Sequence, residues 1–283
     1  MTRHITDGFI YIFLASIAFL SFFPFFQIVI NSFTTQKEML ERSLILIPHT
    51  FSLEAYKFIF SGSSILRSLG VSTFITVAGT CINLLFTTTM AYALARKELR
   101  ARRTILFIVV FTMLFEGGMI PTYLVVKELH MLNTYWAVMI PNAISAFNLI
   151  LMRNFFLNLP EELFESAKMD GYNDLTIYYR IALPLSKAAI ATFALFYAVM
   201  HWNNFMMPFL YLSDSHMWPV QIWLRQIVML AAADFSDVGF ATTVPSQSIR
   251  MAVIVVATTP ILLVYPFIQK HFVKGAMLGS VKG

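Results

Sequence analysis

ESAKMDGYNDLTIYYRIALP, residues 165–184, is a polar island in an apolar chain. It carries Glu165, Lys168, Asp170, Asp174 and Arg180, with Gly171 inside it and Pro184 at its end. The uncharged runs 129–152 and 188–213 flank it. Just upstream, Pro160-Glu161-Glu162 suits a helix start, where proline lacks only an unneeded N–H and acids meet the positive end of the dipole. Leu163, Phe164, Ala167 and Met169 can rest on apolar surface while Glu165 and Lys168 face outward. Gly171 suits a reversal after the helix, because it tolerates positive φ. The segment therefore predicts a short helix lying on a membrane surface, followed by a turn.

Working outward, the composition sets the solvent. Apolar residues make up 58% of the 283, charged residues 12%, and mean hydropathy is +0.71. A soluble domain is about 45–50% apolar and about 25% charged. Lipid is the expected surrounding. Spans of about 20 apolar residues are needed to cross it as helix. Six segments qualify: 9–31, 68–95, 104–126, 132–157, 187–212 and 251–270. Strand-like alternation is absent, and only helices satisfy their own backbone in lipid. The first run is too long for a signal-peptide core and is expected to stay as an anchor, kinked at Pro24. The single cysteine, Cys81, excludes an internal disulfide and reads as a small buried hydrophobe. No Cys/His cluster has metal-ligand spacing.

Charge sets the orientation. With both termini in the cytoplasm, thirteen of the 20 Lys and Arg lie inside and seven outside. The outer face then has as many acids as bases. The net charge of +5 is an orientation signal and not a nucleic-acid footprint. This topology puts residues 160–184 in the cytoplasm between the fourth and fifth spans, and 213–249 outside. The fold class is thus all-α and membrane-integral: one domain, six spans, one cytoplasmic surface helix.

Glu165-Ser166-Ala167, Gly171 and Ile181-x-Leu183-Pro184 stand at the spacing of the EAA loop and resemble that loop in ABC importer permeases. Ser166 replaces the family's usual alanine. Residues 67–103, 117–141, 158–171, 201–212 and 272–283 also resemble the carbohydrate, maltose-transporter-like class, nearest its oligosaccharide- and polysaccharide-importing subgroup. The resemblance implies a coupling helix that uses Glu165, Ser166, Ala167, Asp170 and Gly171 to meet an ATPase. It implies a second permease subunit, two ATPase subunits that hold ATP and Mg, and an extracytoplasmic solute-binding protein. This chain itself is expected to bind no cofactor. It has no P-loop signature and no nucleophile–base–orienter set, so it is not read as an enzyme. An importer of a non-sugar solute and an ion-coupled secondary transporter are the alternatives.

Glu116, inside the third span and followed by Gly117-Gly118, has two readings: a residue of the translocation path, or a helix-break or subunit-interface group. Trp202, Asn203 and Asn204 in the fifth span could ligate sugar or bond neighbouring helices. The outer segment holds an amphipathic stretch after Trp218, then Asp234, Phe235, Gly239, Phe240, Thr242 and Thr243. By resemblance these six contact the binding protein; the plainer reading is a linker.

Overall fold

A computed structural model describes residues 2–42, 44–232 and 247–278. Among these most residues are helical and no strand forms beyond an isolated bridge between Thr34 and Phe51; turns and short irregular segments join the helices. In order, the helices are α1 Thr2–Ser32, α2 Gln36–Glu41, α3 Glu54–Ser61, α4 Ser63–Ala95, α5 Arg102–Leu114 and α6 Met119–Glu128. There follow α7 Tyr135–Met139, α8 Ala146–Leu157, α9 Glu161–Met169, α10 Asp174–Ile177, α11 Leu183–Leu185 and α12 Lys187–Asn203. The last are α13 Met206–Tyr211, α14 Val220–Ala232 and α15 Gln247–Leu278. A π-helical turn, Tyr178–Ala182, joins α10 to α11.

Among the described residues, three segments are each long and apolar enough to cross a membrane: Asp7–Ser32, Ser63–Ala95 and Gln247–Val264. Two further spans qualify only as bent pairs. α5 and α6 meet at 118°, and the segment Asp174–Leu185 meets α12 at 83°. The first bend has a clear cause. α5 ends at Leu114, and Gly118, at the N-cap of α6, takes φ +86°, a conformation open to glycine that resets the direction of the next helix. At the second, Pro184 lies in the last turn before Ser186, where its missing N–H and ring weaken the ladder. The expected span 132–157 is not one helix. It contains α7 and α8, separated by residues 140–145 with Pro141 among them. α8 has 12 residues, about 18 Å of rise, less than a hydrocarbon core. Cys81, read above as buried, is exposed on α4. Its neighbours along the helix alternate between packed and open faces, and 81 falls on the open one.

The chain divides into two compact units. One comprises residues 1–67 and 222–260. Its core is Ala55, Ile59, Ala252 and Val253, with Leu224 and Ile227 packed against them. Glu38 is buried there and accepts hydrogen bonds from the backbone N–H of His49 (2.9 Å) and Thr50 (3.4 Å). The His49 bond, foremost, lowers its carboxyl pKa. Such a carboxylate helps the fold above its ordinary pKa, and the help fades as pH falls through the lowered value. α1 differs in kind: none of its most apolar window is buried by the chain. A helix apolar all round needs lipid or another protein as its surroundings.

The second unit comprises residues 68–221 and 261–283. Its largest core draws Tyr92 and Leu94 from α4, Met152 and Phe156 from α8, Phe164 and Ala167 from α9, and Tyr178 from the π turn, with Phe193 and Tyr197 from α12. α9 is thereby packed on the spans and does not hang free as a loop.

Candidate functional site

α9 forms where its sequence predicts. Pro160 caps it with extended backbone (φ −56°, ψ 126°), Glu161 and Glu162 occupy its first turn, and Lys168 its last. Phe164 and Ala167, three apart and so on one face, are 5% and 4% exposed. Glu162, Glu165 and Ser166 are exposed on the opposite side. Met169, expected against apolar surface, is 89% exposed instead. It lies two residues past Ala167, about 200° round the helix, and so cannot share that face. The helix stops at a Schellman turn: Tyr172 N–H donates to Ala167 O and Gly171 N–H to Lys168 O, both at 3.0 Å. Gly171 takes φ +83°, which the turn requires. Asp170 caps the end and is exposed.

The chain restarts at once. The Asn173 side chain accepts from Thr176 N–H at 2.8 Å and opens α10. The π turn then buries Tyr178 and Ala182 together. Of the five residues expected to couple, Glu165, Ser166, Asp170 and Gly171 are presented outward, while Ala167 belongs to the core.

The loop after α4 grips this element. Lys97 Nζ donates to both carboxylate oxygens of Glu161, at 2.9 and 2.7 Å. Lys168 Nζ donates to Glu98 at 2.5 Å. The Arg96 guanidinium lies 4.4 Å from the Phe164 ring centroid and 5.4 Å from that of Tyr92. It also stands 4.0 Å from the Asp174 carboxylate. A cavity of about 320 Å³ remains between loop and helix, with Glu165 on its rim. The Lys168 hydrogen bond holds the Glu98 carboxyl down to about 2. That contribution is present above the ordinary carboxylate pKa and is lost as pH falls through about 2. Exposure of both partners keeps it small.

Within the spans a second constellation emerges. Asn83 of α4 donates to Asn142 O (2.6 Å) and Ala143 O (3.0 Å), carbonyls left open where residues 140–145 leave the helix. Its Oδ1 lies 2.6 Å from His201 Nε2 of α12. One turn further, Thr87 Oγ1 pairs with Tyr197 OH at 2.7 Å, and Tyr197 OH accepts from Ser145 N–H at 3.3 Å. Thr88 Oγ1 pairs with Tyr178 OH at 2.7 Å. α4 thus holds α12, the break before α8, and the π turn. The reading of the sequence missed Asn83, Thr87, Thr88 and Tyr197. Its available signal was a lone amide in an uncharged run.

Gly79 permits the approach of His201, since a Cβ there would meet the imidazole at 2.5 Å. Gly79→Val should force α4 and α12 apart at a cost of about 1–3 kcal/mol. The purified protein should melt earlier in detergent, and a Gly79→Ala variant should fall between; equal melting of all three would count against close packing.

Trp202 is buried at 6% exposure. Asn203 Nδ2 donates to Val199 O at 3.0 Å, and Asn204 Oδ1 accepts from Met207 N–H at 3.3 Å across the α12–α13 break. Both amides are engaged with their own backbone. Glu116 stands exposed in the α5–α6 break. The structure does not bring it together with residues 202–204 through any described hydrogen bond. Asp234, Phe235, Gly239, Phe240, Thr242 and Thr243 lie outside the described residues. No group of His, Cys, Asp and Glu suited to a metal occurs among the described residues.

No protein-family model matches the chain. It is 54% identical over 286 residues to the polygalacturonan/rhamnogalacturonan transport system permease protein YtcP of Bacillus subtilis (strain 168), covering all of both chains. It is 53% identical to Protein LplC of the same organism, over 96% of this chain and 93% of that one. Its fold matches a chain from the crystal structure of a bacterial ABC transporter involved in the import of the acidic polysaccharide alginate. There the TM-score is 0.88 at 30% identity, over 96% of this chain and 98% of that one.

Proposed function

Since the chain belongs to the ABC transporter permeases for oligosaccharide and polysaccharide import, we propose that it forms half of a sugar path and couples that path to ATP. It is a multi-pass membrane transport subunit, and ion-coupled secondary transport is set aside by its membership. The coupling reading rests on one observation: α9 is anchored by Phe164 and Ala167 and presents Glu165, Ser166 and Asp170 outward. A helix so held can receive a push without deforming. Two ATPase subunits, holding ATP and Mg²⁺, close on nucleotide. Glu165 makes a charge-assisted contact with a basic residue of one of them. The push passes into the spans, and this permease and a second, different permease subunit rock between inward- and outward-facing states.

In this scheme the chain sits in a bacterial cytoplasmic membrane with six spans and both termini inside. The fourth span is completed by α7 and α8 together, and the second and third are joined by the basic loop that grips α9. Glu116 lies at the subunit interface, where the α5–α6 break gives its carboxylate protein or water to face. Trp202, Asn203 and Asn204 shape the path and hold its helices. Residues 213–249 face a solute-binding protein, with Asp234, Phe235, Gly239, Phe240, Thr242 and Thr243 at its sugar cleft.

The substrate is an oligosaccharide or polysaccharide fragment, and uronic-acid chains are the first choice. The full-length identity to a polygalacturonan/rhamnogalacturonan permease supports this. Proteoliposomes holding the whole complex should take up labelled oligogalacturonides at least about tenfold faster than maltose at equal concentration, the scale of one well-recognised charged group. Equal rates, or preference for maltose, would remove the uronic-acid assignment. The complex should purify with a distinct second permease in one-to-one ratio. A transport-competent homodimer would remove the heteromeric reading.

A further inference from the structure

We propose that Arg96, with its neighbours Lys97 and Glu98, is the joint that makes α9 and α4 move as one body, Arg96 being its positioning residue. The inference rests on the reading of α9 as the coupling helix. Three consecutive side chains reach three separate places on the polar island. Lys97 holds Glu161, the first residue of α9. Glu98 holds Lys168, in its last turn. Arg96 covers Phe164 in the middle of α9 and faces Asp174 at the head of α10. One loop therefore spans the length of α9 and crosses the Gly171 turn. That loop is the direct continuation of α4, which ends at Ala95.

The contacts are not equal. The two lysine pairs are well exposed, with side chains 41–69% accessible, and such pairs contribute little. The Arg96 side chain is only 16% exposed. Its Nε has no hydrogen-bond partner among the described residues. It is held chiefly by two ring faces, since the Asp174 carboxylate at 4.0 Å is itself 71% exposed, and a place between rings suits a flat, delocalised cation better than an ammonium. The remaining hold of α9 on the spans is apolar packing of Phe164 and Ala167. Apolar contact seats α9 on the spans but is non-directional and does not by itself fix the bearing of the helix. A guanidinium set between Tyr92 of α4 and Phe164 of α9, with Asp174 of α10 at 4.0 Å, fixes that bearing. A push on α9 then displaces the end of α4 and, through Thr88 and Tyr178, the π turn behind it.

The test uses the complete complex in proteoliposomes, with loaded binding protein, and reads sugar transported per ATP hydrolysed. Arg96→Gln should lower that ratio about fivefold, the scale of losing a partly desolvated cation–π contact, with wild-type amounts of assembled complex. Arg96→Lys should fall nearly as far, because charge without the plane does not restore the stack. A role confined to stability would lower uptake and hydrolysis in parallel; an unchanged ratio in Arg96→Gln overturns the proposal. If Arg96→Gln does not assemble, Arg96→Lys, which keeps the charge, decides it: a lowered ratio at wild-type assembly supports the joint, and an unchanged ratio overturns it. Glu165→Lys is run beside them. Impaired stimulation there with a normal ratio in Arg96→Gln sinks only the joint. Normal stimulation in Glu165→Lys sinks the coupling reading of α9, and the joint with it.

Discussion

Glu165→Lys should leave the protein in the membrane at normal levels and cut binding-protein-stimulated ATP hydrolysis and uptake by about tenfold or more, the scale of losing one charge-assisted hydrogen bond and meeting a like charge in its place. Insertion should survive because Glu165 is exposed and supports no described internal contact, whereas Phe164 and Ala167 carry the packing. Glu165→Gln should fall less, since an amide still accepts a hydrogen bond. The measurement is hydrolysis with and without loaded binding protein, on complexes matched for subunit content. Wild-type stimulation in Glu165→Lys would remove the residue from the ATPase contact.

Asn83→Leu should be the most damaging single change within the spans. It takes a donor from the carbonyls of Asn142 and Ala143 and an acceptor from His201. Interhelical hydrogen bonds in membranes are worth about 0.6–2 kcal/mol each. Here three go together at a place where the helix is already interrupted, and lipid offers no water to replace them. The variant should show a markedly lower melting temperature in detergent and reduced accumulation in the membrane. Asn83→Gln, which can reach one set of partners but not both, should recover part of it. A leucine variant as stable as wild type would mean that the open carbonyls find other donors.

What could be read in advance was local. Pro160, Glu161, Glu162 and Gly171 act within one turn of their own positions, so both ends of α9 were legible. So was the break at Gly117-Gly118, because glycine marks it. The Asn83–His201 bond joins residues 118 apart and the Lys97–Glu161 pair residues 64 apart. No pattern in a single chain brings such residues together. Residues 140–145 failed for another reason. Pro141 was visible, yet an uncharged run reads as continuous helix when hydropathy alone is weighed. Met169 was assigned to the packed face on hydrophobicity, although its angular position excludes it.

The π turn at Tyr178–Ala182 carries one more residue than an α-helical path through the same space would need. Each residue of an α-helix advances about 100° around its axis. Deleting one residue there would leave an α-helical turn over the same path, so α10, with Asp174, would keep its bearing on α12; a further inserted residue would have no bulge to absorb it and would swing α10 by about 100°. The polar island's bearing on the spans is therefore set like a gear tooth, in whole-residue steps. Insertions in 178–182 should therefore be more disruptive than a single deletion, and substitutions should be felt at the buried Tyr178 and Ala182 and tolerated at the exposed Tyr179 and Arg180.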